Sequence, residues 1–462
     1  MFWKLHPRPM NRRRKALQNF VAYATKFGCG PFRRTPVQGE GVQTSELRTL
    51  SRCPRFDFLD KKNCFERRRL PRIKAHMKSN RLCLLLAGLL GFSGGARAES
   101  LSAIFTNATA QVLPANRANI IFIQCHGLGQ GDLSCYGQTN FLTPNLDRLA
   151  AEGVRFEKFS GGADFSTGLA ALMTGKNSAA NETTVAARLQ AAGYHTGLIG
   201  EWTLGEQPWT QGFDEFAGFI HDDEGRNYFA GYVWRFAPKS IYDEQTQTMG
   251  DFSGKEMIYE NTDGKKGRYL PEVFVNAMLN FTRVNQPNPA NHFRPFFLLV
   301  NLPAPRSATA GADDFPVPSD APFTAEKWPP AAKNRAALIT RLDGGIGRLF
   351  EQLQQTGLTN NLAVFFSSSA TPEKFADAKM NFLKPNGAQK GAALLPMIVR
   401  WPGEIPAGRV SRFPWSGADF TPTALEIASA RPVSGLDGIS ILPTLRGLAQ
   451  TNRLEAKISA PK

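Results

Sequence analysis

The chain has 462 residues, 42% of them hydrophobic and 11% aromatic, enough for one large domain or two smaller ones. Its 55 Lys+Arg against 39 Asp+Glu give a formal charge of +16, which suggests a nucleic-acid or membrane-surface partner until the charge is located. Residues 1–76 hold 19 basic and 5 acidic residues whereas residues 99–462 hold 33 and 34, so the body of the chain is nearly neutral and a nucleic-acid partner loses its support.

In chain order, the basic stretch 1–76, with runs such as Arg12-Arg13-Arg14-Lys15, reads as a leader outside the fold. "MKSNRLCLLLAGLLGFSGGARAES" then begins at Met77 with Lys78 and Arg81, continues through an apolar run from Leu82 to Leu90, and reaches Ala96-Arg97-Ala98, a small-x-small cleavage pattern. Residues 77–98 are therefore expected to be a secretory signal peptide. Translation would start at Met77 and the mature protein would be secreted or periplasmic. The rival reading is a basic arm followed by a short buried helix. The apolar run is too short to span a bilayer, which takes roughly 20 residues, so no membrane span is expected. Of the six cysteines only Cys125 and Cys135 lie beyond this segment, too few for a disulfide framework. Residues 99–117 read as a linker, 118–445 as an α/β domain and 446–462 as a C-terminal tail.

Five runs read as buried strands: "NIIFIQ" (119–124), "HTGLIG" (195–200), "PFFLLVNL" (295–302), "LAVFFSSS" (362–369) and "PMIVRW" (396–401). Helical spacing lies between them. "TPNLDRLAAEGV" offers Thr143 as N-cap, Pro144 at the first helical position, Leu146, Leu149 and Ala150 on one face and Gly153 as stop. "TTVAARLQAAGY" repeats the design, and residues 335–358 form a longer amphipathic helix ending at Gly357. Residues 303–330 and 402–416 read as Pro/Gly-rich surface loops. Alternating strands and helices predict an α/β fold, a mostly parallel sheet sandwiched between helices. Ligands of such sheets bind beyond the carboxyl ends of the strands, so the residues just after each strand are the candidates.

"SGGADFSTGLAALMTGK" (160–176) is one such place, a polar run opening a helix where Asp164, Ser166 and Thr167 can accept from free N–H groups. Ser166 and Thr167 are weak nucleophile candidates; helix capping is the competing role. Cys125-His126 could supply a reactive thiol, but strand neighbours point to opposite faces and no third residue orients the histidine. "HDDEGRNY" (221–228) could ligate a cation, although it lacks calcium-loop periodicity.

The segments "NIIFIQCHGLGQGDLSCYG", "TPNLDRLAAEGVRFEKF", "LAALMTGK", "TVAARLQAAGYHTGLIGEWTLGE", "QGFDEFAGF", "RPFFLLVNLPAP", "AALITRLDGGIGRL" and "LPMIVRWPGEIPAG" resemble, in order, the framework of the arylsulfatase-like sulfatases of the alkaline phosphatase superfamily. The resemblance runs from about Ala118 to Leu445 and ends before the small C-terminal subdomain with which such proteins usually continue. It implies hydrolysis of sulfate esters by a formylglycine made from cysteine or serine, two residues before a proline and four before an arginine. Those positions hold Phe165, Thr167 and Leu169. It also implies a metal, usually calcium, on two aspartates and an Asp-Asn pair. Here they read His126-Gly127 and Ser368-Ser369. The family's lysine and histidine near "GEWTLGE" become Glu201 and Thr203, a further histidine becomes Arg306, and a last lysine falls on Pro385 unless Lys384 or Lys390 is re-registered. Arg306 could grip an anion or pair with Glu201 and close the pocket.

No cofactor is expected on this reading. The chain is expected to be an exported, catalytically inactive sulfatase homologue that binds a sulfated or anionic glycan or a protein partner. The alternative is a divergent metal-dependent hydrolase of sulfate or phosphate esters, for which calcium would be expected.

Overall fold

The computed structural model describes residues 117–450, apart from 163, 178–181, 222–223, 244–247, 311 and 371–394. The leader, the signal segment, the linker up to 116, the tail beyond 450, and Lys384, Pro385 and Lys390 lie outside the described residues.

Strand β1 (Asn119–His126) leads through α1 (Pro144–Ala151), β2 (Val154–Ser160), α2 (Phe165–Thr174) and α3 (Val185–Ala191) to β3 (His195–Glu201) and β4 (Glu215–Phe219). An antiparallel pair, β5 (Tyr232–Asp243) and β6 (Thr248–Met257), precedes α4 (Leu270–Val284), β7 (Phe296–Pro305), α5 (Pro330–Gln355) and β8 (Leu362–Ser368). Then follow β9 (Leu395–Arg400), β10 (Arg409–Ser411), β11 (Trp415–Ser416), α6 (Phe420–Ile427) and the short α7 (Leu442–Leu445).

All eleven strands join one sheet in the order β10-β2-β9-β8-β1-β7-β3-β4-β5-β6, with β11 also on β2. The centre, β8-β1-β7-β3-β4, is parallel, while β9 on one side and β5 on the other run against it and β6 pairs antiparallel with β5, so the sheet is mixed. Strands covered on both faces read as continuous apolar runs, and β7 and β8 are buried at every position. Along β1 the side chains alternate between two cores: Ile121, Ile123 and Cys125 pack toward α4 and α5, and Ile120 and Phe122 toward α2, α3 and α6.

Two local expectations change. The 402–416 loop contains β10 and the start of β11, both parallel to β2, because β2 offers a free edge there. Thr143 stands at the N-cap of α1, yet its hydroxyl bonds Ser134 and the Asp147 side chain rather than the helix's backbone N–H groups. The free N–H groups of α1 donate instead to Asp343 of α5: Asn145 N to Oδ2 at 3.2 Å and Leu146 N to Oδ1 at 2.8 Å. Burial raises the Asp343 carboxyl above its usual range, against the pull of those donors.

Candidate functional site at the carboxyl ends of the strands

Parallel pairing aligns the strand ends: Cys125 of β1 faces Ser368 of β8, His126 faces Pro305 of β7, and Glu201 of β3 faces Phe219 of β4. One edge of the sheet thus gathers His126, Gly127, Glu201, Arg306, Ser368 and Ser369, with Phe165 at the start of α2. Elements up to 240 residues apart meet here.

At the centre is an ion pair. Arg306 Nη2 donates to Glu201 Oε1, and both side chains are fully buried. His126 Nδ1 lies 3.3 Å from Arg306 Nη1 and 3.5 Å from Glu201 Oε2. The His126 ring stacks on Phe165 with centroids 4.5 Å apart and planes 4° from parallel. Phe165 is itself buried, and Leu169 one turn further on is part of the apolar core, so both belong to the packing of α2.

Two glycines allow this closeness. Gly127 turns the chain after β1 at φ +85°, and a Cβ there would stand 3.2 Å from the Arg306 Cα. A Cβ on Gly225 would meet the Glu201 carboxylate at 1.8 Å, so any larger residue would displace the pair. Tyr228 OH donates to the Arg306 carbonyl at 2.7 Å and Arg226 donates to the Ser307 carbonyl at 2.8 Å. Residues 225–228 therefore act as a wall against the pair. His221 is exposed, Glu224 accepts from Tyr232 OH at 2.6 Å, and Asp222 and Asp223 lie outside the described residues.

The two serines after β8 are committed to backbone. Ser368 Oγ accepts from Leu128 N at 3.1 Å and is 3.1 Å from the Cys125 carbonyl and 2.8 Å from that of Ala370. Ser369 Oγ donates to the Cys125 carbonyl at 3.2 Å. The loop after β1 is held from below by a second buried pair, in which Arg335 of α5 bonds both carboxylate oxygens of Asp132 and the Gly127 carbonyl at 3.1 Å.

On the solvent side Asp164 caps α2, accepting from Thr167 N at 2.8 Å, while Thr167 Oγ1 accepts from Asp164 N at 3.1 Å. Exposed Ser166 bonds Thr203 at 3.1 Å. Ser166, Thr167 and Thr203 thus lie together, and among the described residues no histidine or carboxylate other than the capping Asp164 bonds these hydroxyls. Cys125 is buried on the opposite face of β1 from His126, and burial pushes its thiol up to about 12. Among the described residues no three His, Cys, Asp or Glu side chains converge as metal ligands would, and no helix is long and apolar enough to cross a membrane.

The sequence reading placed these residues on one rim but missed the Phe165–His126 stack, the Asp132–Arg335 pair and the role of Gly225. Asp132, three residues after Gly129 and next to the buried Leu133, was the one available signal.

A mixed sheet between helices with its polar cluster at the carboxyl ends of the parallel strands defines the α/β architecture of alkaline phosphatase-superfamily hydrolases. Residues 118–430 match the sulfatase family model, and the chain belongs to the sulfatase family. It is 28% identical over 374 residues to N-acetylgalactosamine-6-sulfatase of Canis lupus familiaris, covering 72% of this chain and 67% of that protein. The chain spans about two thirds of the length of such curated relatives. Among solved structures it is similar to Ps i-CgsB in complex with k-i-k-neocarrahexaose, with TM-score 0.55, 22% identity and coverage of 71% and 76%. It is also similar to BT4656 in complex with its substrate D-glucosamine-2-N,6-O-disulfate, with TM-score 0.52, 19% identity and coverage of 71% and 80%.

Proposed function

We propose that this protein is an exported, catalytically silent member of the sulfatase family whose ancestral site is closed by an internal cation, and that it acts by binding a sulfated or anionic glycan or a protein partner. The observation that carries this reading is the fully buried Arg306–Glu201 pair under the His126–Phe165 stack.

The donor set does not suit calcium, which takes six to eight oxygens, several of them anionic. His126 already faces a guanidinium, the serine hydroxyls are engaged with backbone, and an aspartate at position 127 would have to grow through Arg306. No step through a metal follows from these residues. A phenyl ring at 165 offers no attacking atom, and Leu169 offers no charge to a leaving sulfate. Loss of a nucleophile costs on the order of 10⁶-fold in rate, and loss of one preorganised donor about 10²- to 10³-fold. Glu201, on a position where the resemblance implies a cation, repels sulfate rather than holding it.

Support for an anionic glycan as partner comes from the family, one solved member of which holds a disulfated glucosamine as its substrate. Export rests on the pattern that starts at Met77. Mass spectrometry of the secreted protein should show an N-terminus just after Ala98; one that begins before Met77 would refute that assignment.

The decisive experiment is an assay of aryl sulfate and aryl phosphate hydrolysis with added calcium, magnesium, manganese or zinc, alongside elemental analysis. Background turnover and substoichiometric metal are expected. Stoichiometric metal with turnover abolished by Ser166→Ala or Thr167→Ala would establish the divergent hydrolase instead.

A further inference from the structure

A second cleft lies at the other end of the sheet. It encloses about 710 Å³ between the ends of α1 and α5, residue Thr359 before β8, and the segment Pro402–Ala407 after β9. Because β9 runs antiparallel to β8, this is the amino end of the parallel strands, remote from Arg306 and Glu201.

Its floor is an Arg–Glu–Arg arrangement around one aromatic ring. Glu152 Oε1 accepts from Arg148 Nε and Oε2 from Arg400 Nε, each at 2.6 Å. The two guanidinium carbons sit 5.9 Å and 5.5 Å from the Phe350 ring centroid. Each arginine reaches Glu152 through Nε, and among the described residues the paired Nη nitrogens of Arg148 and Arg400 have no hydrogen-bond partner. Arg400 is only 5% exposed and yet lines the cleft. A guanidinium held by Nε and by a ring face presents its Nη fork in fixed geometry, the arrangement that takes carboxylate or sulfate oxygens bidentately. The rest of the lining is largely apolar, with Leu353, Pro402 and Ile405 around the ring.

We propose that this cleft is a binding site for a monoanionic ligand, a sulfate ester, sulfonate or carboxylate carried on an apolar or sugar-like ring, with the anion on the Nη forks of Arg148 and Arg400 and the ring over the apolar lining. Two cations against one carboxylate leave one positive charge. The carboxyl ends of α1 and α5 offset part of it with partial charges of about −0.5 each, which fade within a turn. Binding therefore rests on the bidentate geometry more than on net charge. Glu152 competes with the ligand for both arginines. This site is independent of the family site, and its existence does not depend on whether that site is silent.

The test uses the full chain and benzenesulfonate, a stable monoanion on a ring, with benzyl alcohol and benzylammonium as neutral and cationic controls, read by isothermal titration calorimetry. Saturable benzenesulfonate binding is expected, with benzyl alcohol weaker and benzylammonium weakest. Arg400→Met should weaken it about tenfold and Arg148→Met severalfold, while Glu152→Gln should tighten it severalfold. Arg148 is half exposed, so its variant folds even where Arg400→Met fails, and circular dichroism checks each. Absence of saturable binding, equal binding of benzylammonium, or an affinity unchanged within about twofold by both Arg148→Met and Glu152→Gln overturns the proposal.

Discussion

The two ends of the sheet use the same chemical stock, arginine, glutamate and an aromatic ring, to opposite effect. At the carboxyl end Arg306 and Glu201 are both 0% exposed and turn on each other beneath the His126–Phe165 stack. At the amino end Arg148, Glu152 and Arg400 are 52%, 35% and 6% exposed, and all three line a cleft. Burial decides the difference. A fully desolvated pair must satisfy itself, since any unpaired charge there is costly, whereas Glu152 and Arg148 keep solvent contact and only Arg400 of the three is buried. The type of a residue therefore says little about function until its solvent exposure and partners are known.

The strongest way to break this comparison is to remove one partner of the buried pair. Arg306→Met leaves the Glu201 charge buried and should cost about 3–5 kcal/mol in urea unfolding, most of it recovered in the double variant with Glu201→Met. A loss below about 1 kcal/mol would place the pair among the inexpensive surface kind. Next in size is Asp343→Ala, which strips the acceptor from two N–H groups at the start of α1, the helix that carries Arg148. It should cost about 1–3 kcal/mol by the same measurement and loosen the rim of the cleft before the Arg306–Glu201 pair.

Acidification should sharpen the contrast more gently. Burial pushes the Glu152 carboxyl up, but its bonds to Arg148 and Arg400 outweigh this and hold it below its ordinary value of 4.5. The stability it contributes is therefore present above that value and is lost as pH falls through the lowered one. Because the pair is half exposed, Glu152→Gln should flatten the acid limb of a stability–pH curve by less than about 1 kcal/mol. Glu215, half-buried, is pushed up by that burial but held low by His195 and Asn285, so it should lose stability in the same direction, and Glu215→Gln separates the two. The smallest expected effect is none. Cys125, with its thiol raised to about 12, should resist alkylation at pH 8 in the folded chain and react once it is denatured.

Much of the fold was legible because its central strands are buried on both faces. β1, β3, β7, β8 and β9 are close to the five apolar runs read from the sequence. The flanking strands were not. β2, "VRFEKFS", alternates buried and half-buried positions, and β5 and β6 lie at a half-solvated edge, so neither shows a continuous apolar run. Thr143 stands at the N-cap of α1 as read, but the side-chain acceptor for the helix's first N–H groups, Asp343, lies 198 residues away and was not legible. Family membership was legible from ordered local motifs. Of the candidate site, the rim was legible and its internal pairing was left open between an anion grip and an ion pair.

The sequence by itself determined the apolar strand runs, the helix starts and stops, and the residues offered at each strand end, because these follow from local periodicity and capping chemistry. Only the tertiary structure decided that Arg306 meets Glu201 across 105 residues while Arg148 and Arg400 keep their forks open. The physical reason is that hydrogen-bond partners and desolvation depend on distances between chain-remote groups, and the sheet register alone sets those distances.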